Sequence, residues 1–130
     1  MHHAHLMATD IEETMSFWRH GFGAKVVYDV DFAGSRNVFL TLGTGRIHLY
    51  DQPPKVVGQG TVHHLGVQTD ELETVVERLR RLGVSVTDIR QEPTATYAMA
   101  KGPDNLLIEI FQPDPTLLPP ELRHYFGLEA

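Results

Sequence analysis

The sequence predicts an α+β fold built from two tandem βαβββ modules, and three observations carry that expectation. Each half opens with a short extended run, continues into an apolar stripe at helical spacing and ends in three more extended runs. The two stripes superpose when the first half is shifted by 61 positions (72 − 11 = 61): Ile11 falls on Leu72, Thr14 on Val75, Met15 on Val76 and Trp18 on Leu79. Between the halves, residues 52–61 read QPPKVVGQGT, and two prolines with two glycines in so short a run have the composition of a linker.

The elements follow in order. Residues 2–8 mix polar and apolar side chains as a strand does. Asp10 supplies an N-cap and Glu13 the reciprocal position of a capping box, before the stripe of Ile11, Thr14, Met15 and Trp18. Gly21 and Gly23 close this helix, and strands are expected at 25–31, 37–42 and 46–51, with Gly43-Thr44-Gly45 as a turn. The second module opens with a strand at 62–68, and Thr69 or Asp70 caps a helix carrying Leu72, Val75, Val76, Leu79 and Leu82. Gly83 ends that helix. Strands at 84–89, 96–101 and 106–112 complete the module, the last two joined by Pro103-Asp104-Asn105. Gly23 matches Gly83 at a shift of 60 (83 − 23 = 60), so the helix ends slip by one residue. The expected organisation is one domain over 1–130 with modules at 2–51 and 62–112 and a tail at 113–130 holding a short helix at 121–126.

Composition narrows the function. Net charge is −6, and the 11 Lys and Arg are scattered without the basic stripe of a nucleic-acid binder. No apolar run reaches the roughly 18 residues of a membrane span, and no signal peptide is visible. The absence of cysteine excludes disulfides, zinc–thiolate sites, iron–sulfur clusters and a cysteine nucleophile. The expectation is a cytoplasmic protein whose partner is a small molecule, with no nucleic acid and no membrane. Gly43-Thr44-Gly45 does not extend to a dinucleotide fingerprint, and Ser16, Ser35 and Ser85 lack a hydrolase elbow.

Four polar side chains stand where a core would not choose them. Strand alternation puts Ile47 and Leu49 on one face and His48 on the other, and Glu109 interrupts the apolar run 107–111. His3 and His64 open the two halves. The shift of 61 lays His3 on His64 (64 − 3) and His48 on Glu109 (109 − 48), so the four form two matched pairs that a pseudo-twofold would bring to one point. Singly, each is also what a partly exposed strand carries; the matched spacing is what argues for a metal site. Among the other histidines, His5 shares the face of His3, His63 is expected on the face opposite His64, His20 suits a helix C-terminus, and His124 lies in the tail.

These residues resemble the vicinal oxygen chelate superfamily, which includes glyoxalase I, methylmalonyl-CoA epimerase, extradiol dioxygenases, fosfomycin-resistance proteins and bleomycin-binding proteins. The resemblance covers residues 2–112. Its carriers are His3 followed by Asp10 and a helix ending near Phe22-Gly23, then His64-Leu65-Gly66-Val67, then Gly102-Pro103-Asp104-Asn105-Leu106-Leu107-Ile108-Glu109. It implies curved mixed sheets around a cleft holding one divalent transition metal (Zn, Ni, Co, Fe or Mn), with His3, His48, His64 and Glu109 as ligands. Glyoxalase I and the epimerase usually place Glu or Gln where His48 stands. The implied activity is a lyase or isomerase acting on a small metabolite with vicinal carbonyl and hydroxyl oxygens, the metal stabilising an enediolate and Glu109 acting as base.

Two alternatives stay open. His3, His64 and Glu109 also make the two-histidine, one-carboxylate set of a non-haem Fe(II) extradiol-type dioxygenase. Such enzymes carry a tyrosine about ten residues before the carboxylate, where this chain has Met99, with Tyr97 two places earlier. The other alternative is a small-molecule or antibiotic binding or resistance protein; fosfomycin-type enzymes use three such ligands but add a basic loop that this chain lacks. The resemblance also implies a homodimer. Phe39, Tyr97, Met99 and His5 are the expected substrate contacts, with Arg36 and Lys101 as candidates to meet an anion.

Overall fold

The computed structural model describes residues 1–57 and 60–128. The chain divides into two compact units, residues 1–60 with 102–106, and residues 61–101 with 107–130. No helix among the described residues is long and apolar enough to cross a membrane.

In the first unit, β1 (Ala4–Met7) leads to α1 (Ile11–Ser16), which runs on into a π-helical turn at Phe17–Gly21. Strands β2 (Lys25–Phe32), β3 (Ser35–Leu42) and β4 (Gly45–Tyr50) follow. The sheet order is β1-β4-β3-β2, with β1 parallel to β4 and the other neighbours antiparallel. In the second unit, β5 (Leu65–Gln68) precedes α2 (Leu72–Arg81), β6 (Ser85–Val86), β7 (Arg90–Gln91), β8 (Ala95–Lys101), β9 (Leu107–Pro113) and α3 (Pro120–Tyr125). Its order is β5-β9-β8-β6, with β7 beside β8 and β5 parallel to β9. Each module is therefore a βαβββ unit, with the strand after the helix of the second broken into β6 and β7, both paired with β8.

The internal repeat extends to the ladder register. Ala4 pairs with Ile47 and Leu65 with Ile108, each residue displaced by 61. Leu40 pairs with Ile47 and Ala100 with Ile108, so β3 and β8 are related by 60 while β4 and β9 remain at 61. The missing residue can be located. Ala24 donates its N–H six residues back to the Trp18 carbonyl, whereas Val84 donates five residues back to Leu79. The extra residue sits in the π-helical turn, as single-residue insertions in helices commonly do. The count is restored in the last hairpin, where Pro103-Asp104-Asn105 is one residue longer than the Gly43-Thr44 turn. Asp104 and Asn105 lie in the left-handed region at φ 57° and 60° without being glycine, a costly conformation. The Asp104 carboxylate accepts from both the backbone N–H and the hydroxyl of Thr9, which holds the turn in place.

The cores follow the two stripes. Ile11, Trp18, Val38, Leu40, Ile47 and Leu49 are buried in the first unit, and Leu72, Val76, Leu79, Ala98, Ala100, Ile108 and Ile110 in the second. Asp10 caps α1 as expected, accepting from the Glu13 N–H at 3.1 Å. The cap of α2 differs from expectation. Glu71 occupies the cap position without a side-chain bond; Thr69 Oγ1 accepts from Glu71 N–H, and Gln112 Oε1, from β9, accepts from Leu72 N–H.

Three strands also differ. β1 and β5 begin later than expected, so His3 and His64 each stand one residue before their strand. The expected strand at 84–89 reduces to β6, because the Thr87 hydroxyl takes the Met99 N–H at 2.9 Å where a ladder carbonyl would serve. In the tail, the expected short helix is α3; Gln68 Nε2 donates to the Phe126 carbonyl at 2.8 Å, and the rings of Phe126 and Phe111 meet at 5.7 Å. Linker residues 58–59 and tail residues 129–130 lie outside the described residues.

Candidate metal centre

In each unit the helix covers one face of the sheet and the candidate donors stand on the other. On β4, Ile47 and Leu49 are buried and His48 between them is half-buried. On β3, Phe39 lies directly across from His48. Their rings stack at 4.0 Å between centroids with 19° between planes. His3 stacks on His48 at 3.7 Å and 15°. The His48 imidazole is thus held between the Phe39 and His3 rings. Burial, followed by the neighbouring His3, His5 and His2, lowers the His48 pKa below its ordinary value. This keeps the ring neutral near pH 7, the form that ligates metal. His2, His3 and His48 each offer a ring nitrogen within 4.8 Å of the others.

The second unit repeats the arrangement with different chemistry. On β9, Ile108 and Ile110 are buried and Glu109 is half-buried between them. Met99 on β8 lies across from Glu109, as Phe39 does from His48. His64 directs Nε2 toward Glu109 Oε2 at 3.7 Å. Tyr97 lies across from Phe111, one step along the same face. The register partner of Glu109 on β5 is Gly66, where the first module has His5 beside His48.

The structure therefore brings His3 to His48 and His64 to Glu109, each pair within its own unit. Phe39 and Met99 adjoin the donors directly, and His5 reaches Tyr50 at 5.6 Å between ring centroids. The first unit offers two imidazoles and the second an imidazole and a carboxylate, donor types that Mn, Fe, Co, Ni and Zn all accept.

Two readings of individual side chains change. Arg36 is not free to meet an anion: it forms a two-pronged bond with Asp29 at 2.9 and 2.8 Å and a further bond with Glu12 on α1. That guanidinium holds the Asp29 carboxyl below its usual range. His63 does not face away from His64. Their Nδ1 atoms lie 2.9 Å apart, because residues 63 and 64 precede β5 and strand alternation does not govern them. His2 relates to His3 in the same way, at 3.0 Å. The signal for these two was the His-His doublet, which itself recurs at 61 (63 − 2 = 61).

Residues 1–110 match the profile of the Glyoxalase/Bleomycin resistance protein/Dioxygenase superfamily. A curated relative, the uncharacterized protein YwkD of Bacillus subtilis, is 25% identical over 125 residues, spanning 86% of this chain and 95% of that one. Among solved structures, a mutant of the fosfomycin resistance protein FosX from Listeria monocytogenes, complexed with Mn(II) and 1S,2S-dihydroxypropylphosphonic acid, superposes with a TM-score of 0.77. It is 21% identical, and the match covers 90% of this chain and 94% of that one. A glyoxylase/bleomycin resistance protein/dioxygenase domain from Frankia sp. EAN1pec gives the same TM-score of 0.77 at 14% identity, covering 88% and 92%. At these identities the structural likenesses establish the fold.

Proposed function

The chain belongs to the Glyoxalase/Bleomycin resistance protein/Dioxygenase superfamily, and on that premise we propose that it binds one divalent transition-metal ion through His3, His48, His64 and Glu109 and acts as a glyoxalase-like lyase or isomerase on a small metabolite with vicinal carbonyl and hydroxyl oxygens. The observation that carries this reading is the repetition of the donor pair: each unit sets a histidine just before its first strand close to a donor on its last strand, at the same register. Bound there, the ion would supply Lewis-acid stabilisation of negative charge developing on the two oxygens. Glu109 is the only carboxylate in the set. It takes the proton from the hydroxyl-bearing carbon and returns it to the former carbonyl carbon, while the hydroxyl proton passes to the former carbonyl oxygen. Met99 and Phe39, across from Glu109 and His48, offer apolar contact to the carbon skeleton, while Tyr97 and His5 line the same faces.

The Mn(II)-bound FosX structure favours a second reading, resistance toward a fosfomycin-like phosphonate. The commitment of Arg36 to Asp29 and Glu12 counts against it, since a phosphonate calls for available cations. A homodimer is supported by the edge strand β2, which leaves Val26, Val27, Tyr28 and Phe32 exposed.

Proton exchange tests the reaction class. Metal-loaded protein is incubated in D2O with a panel of small α-hydroxycarbonyl compounds and with fosfomycin, followed by NMR. Deuterium entering beside a carbonyl, and lost in Glu109→Gln, supports the isomerase reading. Consumption of fosfomycin without any exchange in the panel would replace it with the second.

A further inference from the structure

We propose that His2 and His63 are positioning residues, each holding through its Nδ1 the ring of the histidine that follows it so that the Nε2 of His3 or His64 is presented to a divalent cation. The proposal rests on the metal reading above and adds to it the groups that orient two of the ligands.

The same geometry occurs twice. Nδ1 of His2 lies 3.0 Å from Nδ1 of His3, and Nδ1 of His63 lies 2.9 Å from Nδ1 of His64. Both ring pairs have centroids 5.2 Å apart and planes at 83°. Two independent segments have thus adopted one arrangement, at equivalent places in the repeat.

His64 shows what the arrangement does. Its Nδ1 is engaged by His63 while its Nε2 points toward Glu109 Oε2. A hydrogen bond between two neutral ring nitrogens holds one proton. When His64 Nδ1–H donates and His63 Nδ1 accepts, His64 Nε2 keeps its lone pair and can ligate. The reverse tautomer places the proton on Nε2 and blocks it. Metal-binding histidines commonly have their second nitrogen held by a carbonyl or carboxylate, which fixes tautomer and ring direction. Here the preceding histidine is in place to do so.

The competing role for His2 is that of a ligand, since its nitrogen lies within 4.8 Å of those of His3 and His48. His63 belongs to no such cluster among the described residues. The feature the two doublets share is therefore the Nδ1 contact. Both His2 and His63 are exposed, so replacing them leaves the packed core untouched.

The test uses the full chain with Co(II) as probe. Calorimetric titration and visible absorption are recorded for the wild type, His64→Ala, His63→Ala and His63→Asn, with melting curves as a folding check. His63→Ala is expected to weaken Co(II) binding about 10–100-fold at unchanged stoichiometry and melting temperature. His63→Asn places Oδ1 where Nδ1 stood and is expected to restore most of the affinity and the wild-type spectrum. In metal-free protein, two-bond 15N–1H NMR is expected to find His64 protonated on Nδ1, shifting toward Nε2 in His63→Ala. Wild-type affinity and an unchanged tautomer in His63→Ala would overturn the proposal and leave the metal reading intact. No Co(II) uptake by the wild type would overturn the metal reading, and the presentation of Nε2 to a cation with it. For the first module, His2→Ala is expected to give the same 10–100-fold loss; loss of all binding, as in His3→Ala, would make His2 a ligand and overturn its positioning role.

Discussion

Beneath α1 the sheet presents Val38 and Leu40; beneath α2, at the equivalent places, it presents Ala98 and Ala100. The helices differ in the same sense, with Trp18 in the first standing where the second has Leu79. The first module fills the space between helix and sheet with bulk, and its helix gives way to a π-helical turn as it passes Trp18. In the second, a regular helix faces two buried alanines. The first also buries polar atoms that the second avoids: Thr14 Oγ1 and Trp18 Nε1 have no hydrogen-bond partner among the described residues, where the second module has Val75 and Leu79. On the opposite faces the contrast is chemical. The first module offers two imidazoles, and the second an imidazole and the carboxylate that can act as base. One backbone plan, used twice, thus sets different donor types at the same ladder register.

Exchanging core side chains between the modules tests this contrast with the largest expected effects. Leu40→Ala should leave a hole beneath α1 and cost about 2–5 kcal/mol. Ala100→Leu should force α2 outward and cost about 1–3 kcal/mol. Urea unfolding midpoints measure both, and an unaffected Ala100→Leu would show that α2 is not packed closely on its sheet.

The caps come next. Asp10→Ala removes a local cap and Gln112→Ala a cap supplied from β9, each expected to cost about 1 kcal/mol. Only Gln112→Ala should also loosen the start of α2 against β9, read as faster amide exchange at Leu72. Equal exchange in wild type and variant would remove the distinction between the two caps.

A smaller effect of opposite sign is expected from Thr14→Val, which copies Val75. Removing a buried hydroxyl that lacks a partner should leave stability unchanged or raise it by up to about 1 kcal/mol. A clear loss would mean that the hydroxyl is satisfied in solution.

The smallest effect concerns pH. The Arg36 guanidinium lowers the Asp29 pKa in the folded chain, so this pair stabilises the fold above the unfolded carboxyl range, about pH 4. That stability is lost as pH falls through the lower folded value. Arg36→Gln should lower the melting temperature slightly at neutral pH and leave it nearly unchanged at acid pH, below the folded Asp29 value, so that the acid limb of the profile flattens.

Much of the plan was legible because it is periodic. The stripes of Ile11, Trp18, Leu72 and Leu79 revealed both helices, and the alternation around His48 and Glu109 revealed which side chains leave the core. What stayed hidden depended on contacts distant in sequence. Nothing near Leu72 announces that Gln112 will cap it, and nothing near Thr87 announces that its hydroxyl will take the Met99 N–H. The one-residue slip between Gly23 and Gly83 was visible, but its cause, an extra residue in the π-helical turn, needed the hydrogen bonds. The orientation of His63 was misread because alternation was extended past the start of β5.

The most direct measurement is the metal content of untagged protein prepared without chelator, read per chain beside His48→Ala and Glu109→Ala. One transition-metal ion per chain in the wild type, lost or greatly weakened in both variants, is the result expected if the two donor pairs serve one site. Full retention in Glu109→Ala would confine binding to the histidines of the first module and contradict the pairing. No metal in the wild type, and none taken up on titration, would contradict the site altogether.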